Sequence, residues 1–163
     1  MRKILCLVLF LSCGGKEQIK SENVQPGADS VEVISTKEGT KMWVMKSQKV
    51  VERGDSLVGF GVRITFFSGN KPSSVLTADS GKYYQVTGDM VAYGKVYLVS
   101  SDSTELWTTS LHWDAKGKII WTDDSVKIKQ KDRILFAKGM ETDAEISYIK
   151  FKSPVRGEGE KLE

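Results

Sequence analysis

The chain has 163 residues, with 24 basic and 21 acidic side chains, two cysteines and one histidine. That length suits one domain with a sizeable core. Nearly balanced charge with no basic cluster argues against a nucleic-acid partner. Both cysteines fall within the first 13 residues, so the rest of the chain carries no disulfide, thiol nucleophile or sulfur metal ligand.

The N-terminus reads as a targeting signal. Met1-Arg2-Lys3 is basic, and Ile4 to Leu11 is an unbroken apolar run of eight. Such a run rises only about 12 Å as a helix, against about 30 Å of membrane hydrocarbon, so it has the length of a signal-peptide core and not of a span. Ser12-Cys13-Gly14-Gly15 places small residues around a cysteine, close to the pattern in which bacterial lipoproteins are cleaved and lipidated, although Phe10 stands where Leu is usual. We expect a signal peptide over 1–12 and lipidation at Cys13; a soluble form cut near Ser12 is the alternative. Cleavage would take the basic count from 24 to 22 against 21 acids and send the mature chain into an oxidising compartment. The polar stretch that follows, with Gly14-Gly15 and Pro26-Gly27, predicts a flexible tether over 13–38.

Strand signals dominate from about Lys41. Val58, Phe60, Val62, Ile64 and Phe66 form an even-numbered apolar face, with Gly59, Gly61, Arg63 and Thr65 between them. Val126 and Ile128 oppose Lys127, Lys129 and Lys131, and Ile149 and Phe151 alternate with Tyr148, Lys150 and Lys152. Period-two patterning of this kind predicts a sheet with one apolar face. Turn signals are frequent: Ser68 to Pro72, Asp79-Ser80-Gly81, Thr87-Gly88-Asp89, Ser101-Asp102-Ser103, Ala115-Lys116-Gly117, Asp123-Asp124 and Lys131-Asp132. Strands of five to eight residues are expected between them, in an antiparallel sandwich, barrel or jelly roll without an amphipathic helix. The folded part should cover 39–154, with a polar tail over 155–163.

A repeat of about 29 or 30 residues runs through this region. Leu76-Thr77-Ala78-Asp79, Leu106-Trp107-Thr108-Thr109 and Leu135-Phe136-Ala137-Lys138 line up, and Ser110, Leu111 and Asp114 match Gly139, Met140 and Asp143. Repeated strand units that cannot bury their apolar faces alone favour a binding scaffold over a pocket enzyme. Candidate chemistry is sparse. His112, between Leu111 and Trp113, should point away from the apolar face. Asp79-Ser80 and Asp102-Ser103 read as turns, as does Asp123-Asp124, which has no third ligand nearby. Trp113 and Tyr83 read as packing residues. No catalytic group, metal or cofactor is expected.

In order and spacing, several motifs resemble the LptC family, the periplasmic component of the lipopolysaccharide export machine. They are the strand Phe60 to Phe66, Leu76 to Tyr83, Gly88 to Val96, Leu111-His112-Trp113-Asp114, Ile120-Trp121-Thr122-Asp123 with Val126, and Lys138 to Asp143. The match covers about 110 residues, and each motif alone is weak. The resemblance implies an all-β fold, an antiparallel twisted jelly roll of the OstA/LptA-like type, open at its edges, whose two sheets enclose an apolar trough. It also implies a role: lipopolysaccharide is accepted from an inner-membrane ABC exporter with LptF/LptG-type subunits and passed to an LptA-like bridge protein. The best-known members carry a transmembrane anchor, whereas this chain offers Cys13. Gly14 follows it in place of the acidic residue that retains some lipoproteins at the inner membrane.

On that reading the acyl chains of lipid A would meet Phe60, Val62, Ile64, Phe66, Leu76, Ala78, Val96, Leu98, Leu106, Thr108, Val126, Ile128, Leu135 and Ala137. Each methylene shielded from water stabilises such a complex by about 0.8 kcal/mol. Gly139, Ile146, Ile149 and Phe151 would mark the edge that meets the bridge protein by strand addition, with the N-terminal strands facing the exporter. Gly139 is read equally well as a bend. The protein would sit on the periplasmic face of the inner membrane. The alternatives are the soluble bridge component itself, or a structural lipoprotein that uses the fold for protein contacts only.

Overall fold

A computed structural model describes residues 18–22 and 31–159; the expected signal peptide and Cys13 lie outside the described residues. Among these residues, eleven strands form a single antiparallel sheet. They are β1 (Gln18–Glu22), β2 (Val31–Lys37), β3 (Thr40–Arg53), β4 (Ser56–Ser68), β5 (Lys71–Tyr84), β6 (Met90–Ser100), β7 (Glu105–Asp114), β8 (Ile119–Gln130), β9 (Arg133–Thr142), β10 (Lys150–Phe151) and β11 (Arg156–Gly159). Spatial order follows chain order from β1 to β10, and β11 also pairs with β9.

The sheet folds over on itself. Leu57 and Phe66 stand at opposite ends of β4, separated by about 30 Å of extended chain. Trp43 lies opposite Phe66 and Tyr83 lies opposite Leu57, yet the rings of Trp43 and Tyr83 meet edge to face at 5.3 Å. Phe66 likewise reaches Trp113 at 5.3 Å, although β7 is three strands away. Each long strand therefore contributes one end to each of two facing layers. The two layers expected from the jelly roll are the two halves of one continuous sheet.

The crease is a row of irregularities. Register shifts occur between Thr77 and Ser80, Tyr93 and Val96, Trp107 and His112, and Thr122 and Ser125. Gly61, Gly94 and Gly139 have positive φ in the same row, where a strand must bend and only glycine does so without strain. Asp79-Ser80-Gly81 and Asp123-Asp124, read from sequence as turns, are bulges inside β5 and β8. Turn and bulge chemistry use the same residues, so composition alone did not separate them. The strands β3 to β9 run to 10–14 residues for the same reason, longer than the predicted five to eight. The other turns, at 69–70, 85–87, 101–102, 115–118 and 131–132, fall where expected.

Two boundaries also move. The polar stretch read as a tether contains β1 and β2, because Val33 packs into the core and Ser35 is buried beside it. The polar tail contributes β11, which pairs its backbone with Arg133 to Phe136.

Candidate functional site

Inside the crease, one line of directly opposed residues crosses eight strands: Val33, Met45, Ile64, Leu76, Leu98, Leu106, Ile128 and Leu135. All but Leu135, which is half-buried, are buried. Cross-strand pairing of this kind is the unit of sheet stabilisation. It also makes a strip of apolar side chains with no oxygen or nitrogen atom. Val62 and Ala78 form a second opposed pair, as do Val96 with Thr108 and Val126 with Ala137. The repeat seen in the sequence falls on β5, β7 and β9 and sets one leucine of the strip in each.

Beyond the crease the inward line changes character: Leu57, Tyr83, Met90, Trp113, Ile120 and Thr142. Sequence reasoning treated Tyr83 and Trp113 as packing residues, and both pack. It passed over Trp43, Met45 and Val33. The alternation of Val31 with Val33 was the available signal, hidden within a polar stretch.

Most of the trough residues named from sequence face inward, with one exception. Phe60 is 43% exposed, whereas Val62, Ile64 and Phe66 are buried. Between them the ladder skips Gly61. Gly61 bends the strand at positive φ and the alternation reverses across it with no change of register, so Gly59 and Val62 turn inward and Phe60 turns out. The same reversal occurs in β7, where Leu106 and Thr108 are buried before the crease and Leu111 and Trp113 after it.

Polar side chains stitch the crease from outside. The Asp79 carboxylate accepts the Lys95 N–H at 3.0 Å. Asp124 accepts the Thr109 and Ser110 hydroxyls at 2.7 and 2.6 Å, which hold its carboxyl below the usual carboxylate range. Lys152 Nζ sits 2.7 Å from Asp123 and 4.8 Å from the centre of the Trp121 ring. His112 stacks on Trp121 at 4.0 Å, on the outer face as expected. Burial lowers its pKa against the opposing pull of Asp123 and Asp124.

The C-terminal edge differs from expectation. Ile146 is buried in the core with φ at +55°, a conformation uncommon for a β-branched residue. It sits in a loop whose Asp143 carboxylate accepts the N–H groups of Glu145 and Ser147. Ile149 and Phe151 are partly buried against the same core, and only Lys150–Phe151 is strand. Gly139 is also covered, since its carbonyl accepts the Lys152 N–H at 3.0 Å. The chain's own C-terminal segment thus lies along β9, because an open strand edge is satisfied by whatever backbone can reach it.

The interior holds little free space. A slot of about 10 Å³ lies among Ile64, Phe66, Leu76 and Trp113, and a cavity of about 310 Å³ opens at one end, beside Met42, Phe66, Trp113 and Ala144. The trough is filled by its own side chains, and a guest would part the two layers.

A family model described as "Lipopolysaccharide-assembly, LptC-related" matches residues 6–160. No curated protein matches the chain in sequence. Among solved structures, the chain is similar to LptH, described as the LptA homologous periplasmic component of the conserved lipopolysaccharide transport device from Pseudomonas aeruginosa. That likeness has a TM-score of 0.56 at 12% identity and covers 71% of this chain and 93% of the other. At that identity it speaks for the fold: an antiparallel jelly roll of the OstA-like type.

Proposed function

The chain belongs to the LptC-related family of lipopolysaccharide assembly, and from that premise we propose that it is a periplasmic lipopolysaccharide transport protein. The observation that carries this reading is the aliphatic strip from Val33 to Leu135. It offers dispersion contact along its whole length and bonds no particular atom, as a carrier of acyl chains requires. The protein would act by shielding and release, with no bond made or broken.

The finer parts of the proposal rest on sequence. Met1-Arg2-Lys3, the apolar run to Leu11 and Cys13 support a lipid anchor, which would hold the sheet at the periplasmic face of the inner membrane. Acceptance from an exporter with LptF/LptG-type subunits would occur at the N-terminal strands. Delivery to an LptA-like bridge protein would occur at the C-terminal edge, where a partner strand would add beyond β10 and β11 or displace them. A second reading, the bridge component itself, is favoured by the likeness to LptH. Globomycin-sensitive processing at Cys13 separates the two, since a bridge protein needs no anchor.

A photocrosslinker placed at Val62 or Leu98 should label lipopolysaccharide in an energised membrane preparation, and one at Phe60 should not. Labelling at Phe60 with none at the inward positions would sink the trough as the transfer path.

A further inference from the structure

The C-terminal edge of the sheet is closed by the chain itself, and the closure is uneven. Ile149 and Phe151 pack against the core, and Lys150 and Phe151 pair with Glu141 and Met140. Farther along, Arg156 to Gly159 pair with Phe136 to Arg133. Four residues of this strap, 152–155, therefore face only three of β9, 137–139, and the strap bulges between its two short strands. Pro154, which has no N–H, stands in the bulge. A bulge and a proline are devices that stop a further strand from adding to an edge. The outer edge of the strap is thus broken into pieces of two and four residues, whereas β9 beneath it runs for ten.

Few groups hold the bulge down. Ser153 Oγ accepts the Lys138 N–H at 2.7 Å, and the Lys152 N–H donates to the Gly139 carbonyl. Gly139 is the seat, since a Cβ there would lie 3.0 Å from both Cβ and Cδ of Lys152. Lys152 Nζ then reaches Asp123 and the face of Trp121, in an ion pair whose side chains are 43% and 73% exposed. Beyond it Pro154, Val155, Arg156 and Gly157 are all exposed. A segment held by backbone pairing and one exposed ion pair opens well before the core does.

Resting on the carrier reading above, we propose that residues 152–159 are an autoinhibitory strap. They keep the delivery edge of β9 closed in the free protein, and a partner strand binds by displacing them, not by adding beyond them. The partner is an extended strand of another protein, bound through the backbone of Arg133 to Lys138. Lys152 is the latch. Ile149 and Phe151, packed on the core, keep the released strap on the molecule, so the edge recloses when the partner leaves. Until then the long edge of β9 is denied to any other strand, a second copy of the chain included.

The strap is itself a strand that fits β9, so a fluorescent peptide copying residues 149–159 serves as the probe, with anisotropy read on the purified chain. Phe136→Cys with Arg156→Cys, in a chain carrying Cys6→Ser and Cys13→Ser, places two thiols at directly opposed positions. Opposed Cα atoms lie about 4.5–5.5 Å apart, within disulfide reach. Oxidation should lock the strap and abolish peptide binding, and reduction should restore it in the same molecule, which excludes a folding defect. Lys152→Ala leaves Asp123 and Trp121 to the lysine of the peptide and should tighten binding about threefold to tenfold. Undiminished binding to the oxidised pair overturns the strap, as does failure of every form, Lys152→Ala included, to bind. Lipopolysaccharide labelling from Leu98 reports separately on the carrier. Its absence, with the peptide results as expected, sinks the carrier reading and leaves the strap as a guard of the edge.

Discussion

The two halves of the folded sheet share the same strands but not the same chemistry. On one side of the crease the inward line is Val33, Met45, Ile64, Leu76, Leu98, Leu106, Ile128 and Leu135, aliphatic throughout. On the other it includes Tyr83 and Trp113 and ends on Thr142. Two layers of equal polarity would make an indifferent interior. The asymmetry gives the interior one wall of hydrocarbon and a facing wall that carries the polar atoms of Tyr83, Trp113 and Thr142, and it arises within single strands at the crease.

The comparison can be broken most severely on the hydrocarbon wall. Leu98 is completely buried at the centre of the strip, so Leu98→Ala should destabilise the fold by about 2–5 kcal/mol, read from urea unfolding. Next comes the crease that separates the halves. Gly94 has φ at +94°, and a Cβ there would lie 2.4 Å from Asp79 Oδ2. Gly94→Ala should cost about 1–3 kcal/mol from strained backbone alone, whereas Gly69→Ala, at a turn with open space around it, should cost less in the same thermal melts.

A smaller effect concerns the stitching. Hydrogen bonds from Ser110 and Thr109 lower the Asp124 pKa in the folded protein. Its contribution is therefore fully present above the unfolded value of about 3.9 and is lost as pH falls through the lower folded value. Asp124→Asn should flatten that part of the stability profile in acid titrations followed by circular dichroism, and an unchanged profile would remove Asp124 from the stitching. The smallest effect belongs outside the trough. Phe60→Ala should change stability by no more than about 0.5 kcal/mol, and a loss comparable to that of Leu98→Ala would mean that Phe60 faces inward after all.

Much of this was legible in the sequence because period-two alternation survives wherever a strand is regular, as from Val62 to Phe66 and from Val126 to Lys131. The repeat of Leu76, Leu106 and Leu135 marked alternate strands correctly. What escaped was the crease. Its bulges use the Asp, Ser and Gly of a turn, and in β4 the bend at Gly61 reverses the alternation with no change of register, so Phe60 was assigned to the wrong face. β2 escaped because a strand held by its neighbour needs few apolar residues of its own. Ile146 looked like edge strand for the opposite reason: its burial comes from a loop conformation that no alternation encodes. At Trp113 the sequence displayed the ring but not the lack of an acceptor for its N–H among the described residues, which depends on three-dimensional packing.

The strict agreement of spatial and chain order from β1 to β10 bears on how such a molecule comes into being. Every strand in that run finds its partner in the segment made just before it, so pairing requires short loop closures and little entropy is lost before contacts form. A chain emerging from a translocon end first can therefore pair hairpin by hairpin, without waiting for a distant strand to close the sheet. By the same logic a duplicated hairpin adds a rung at little topological expense, and length becomes a property that gene duplication can tune.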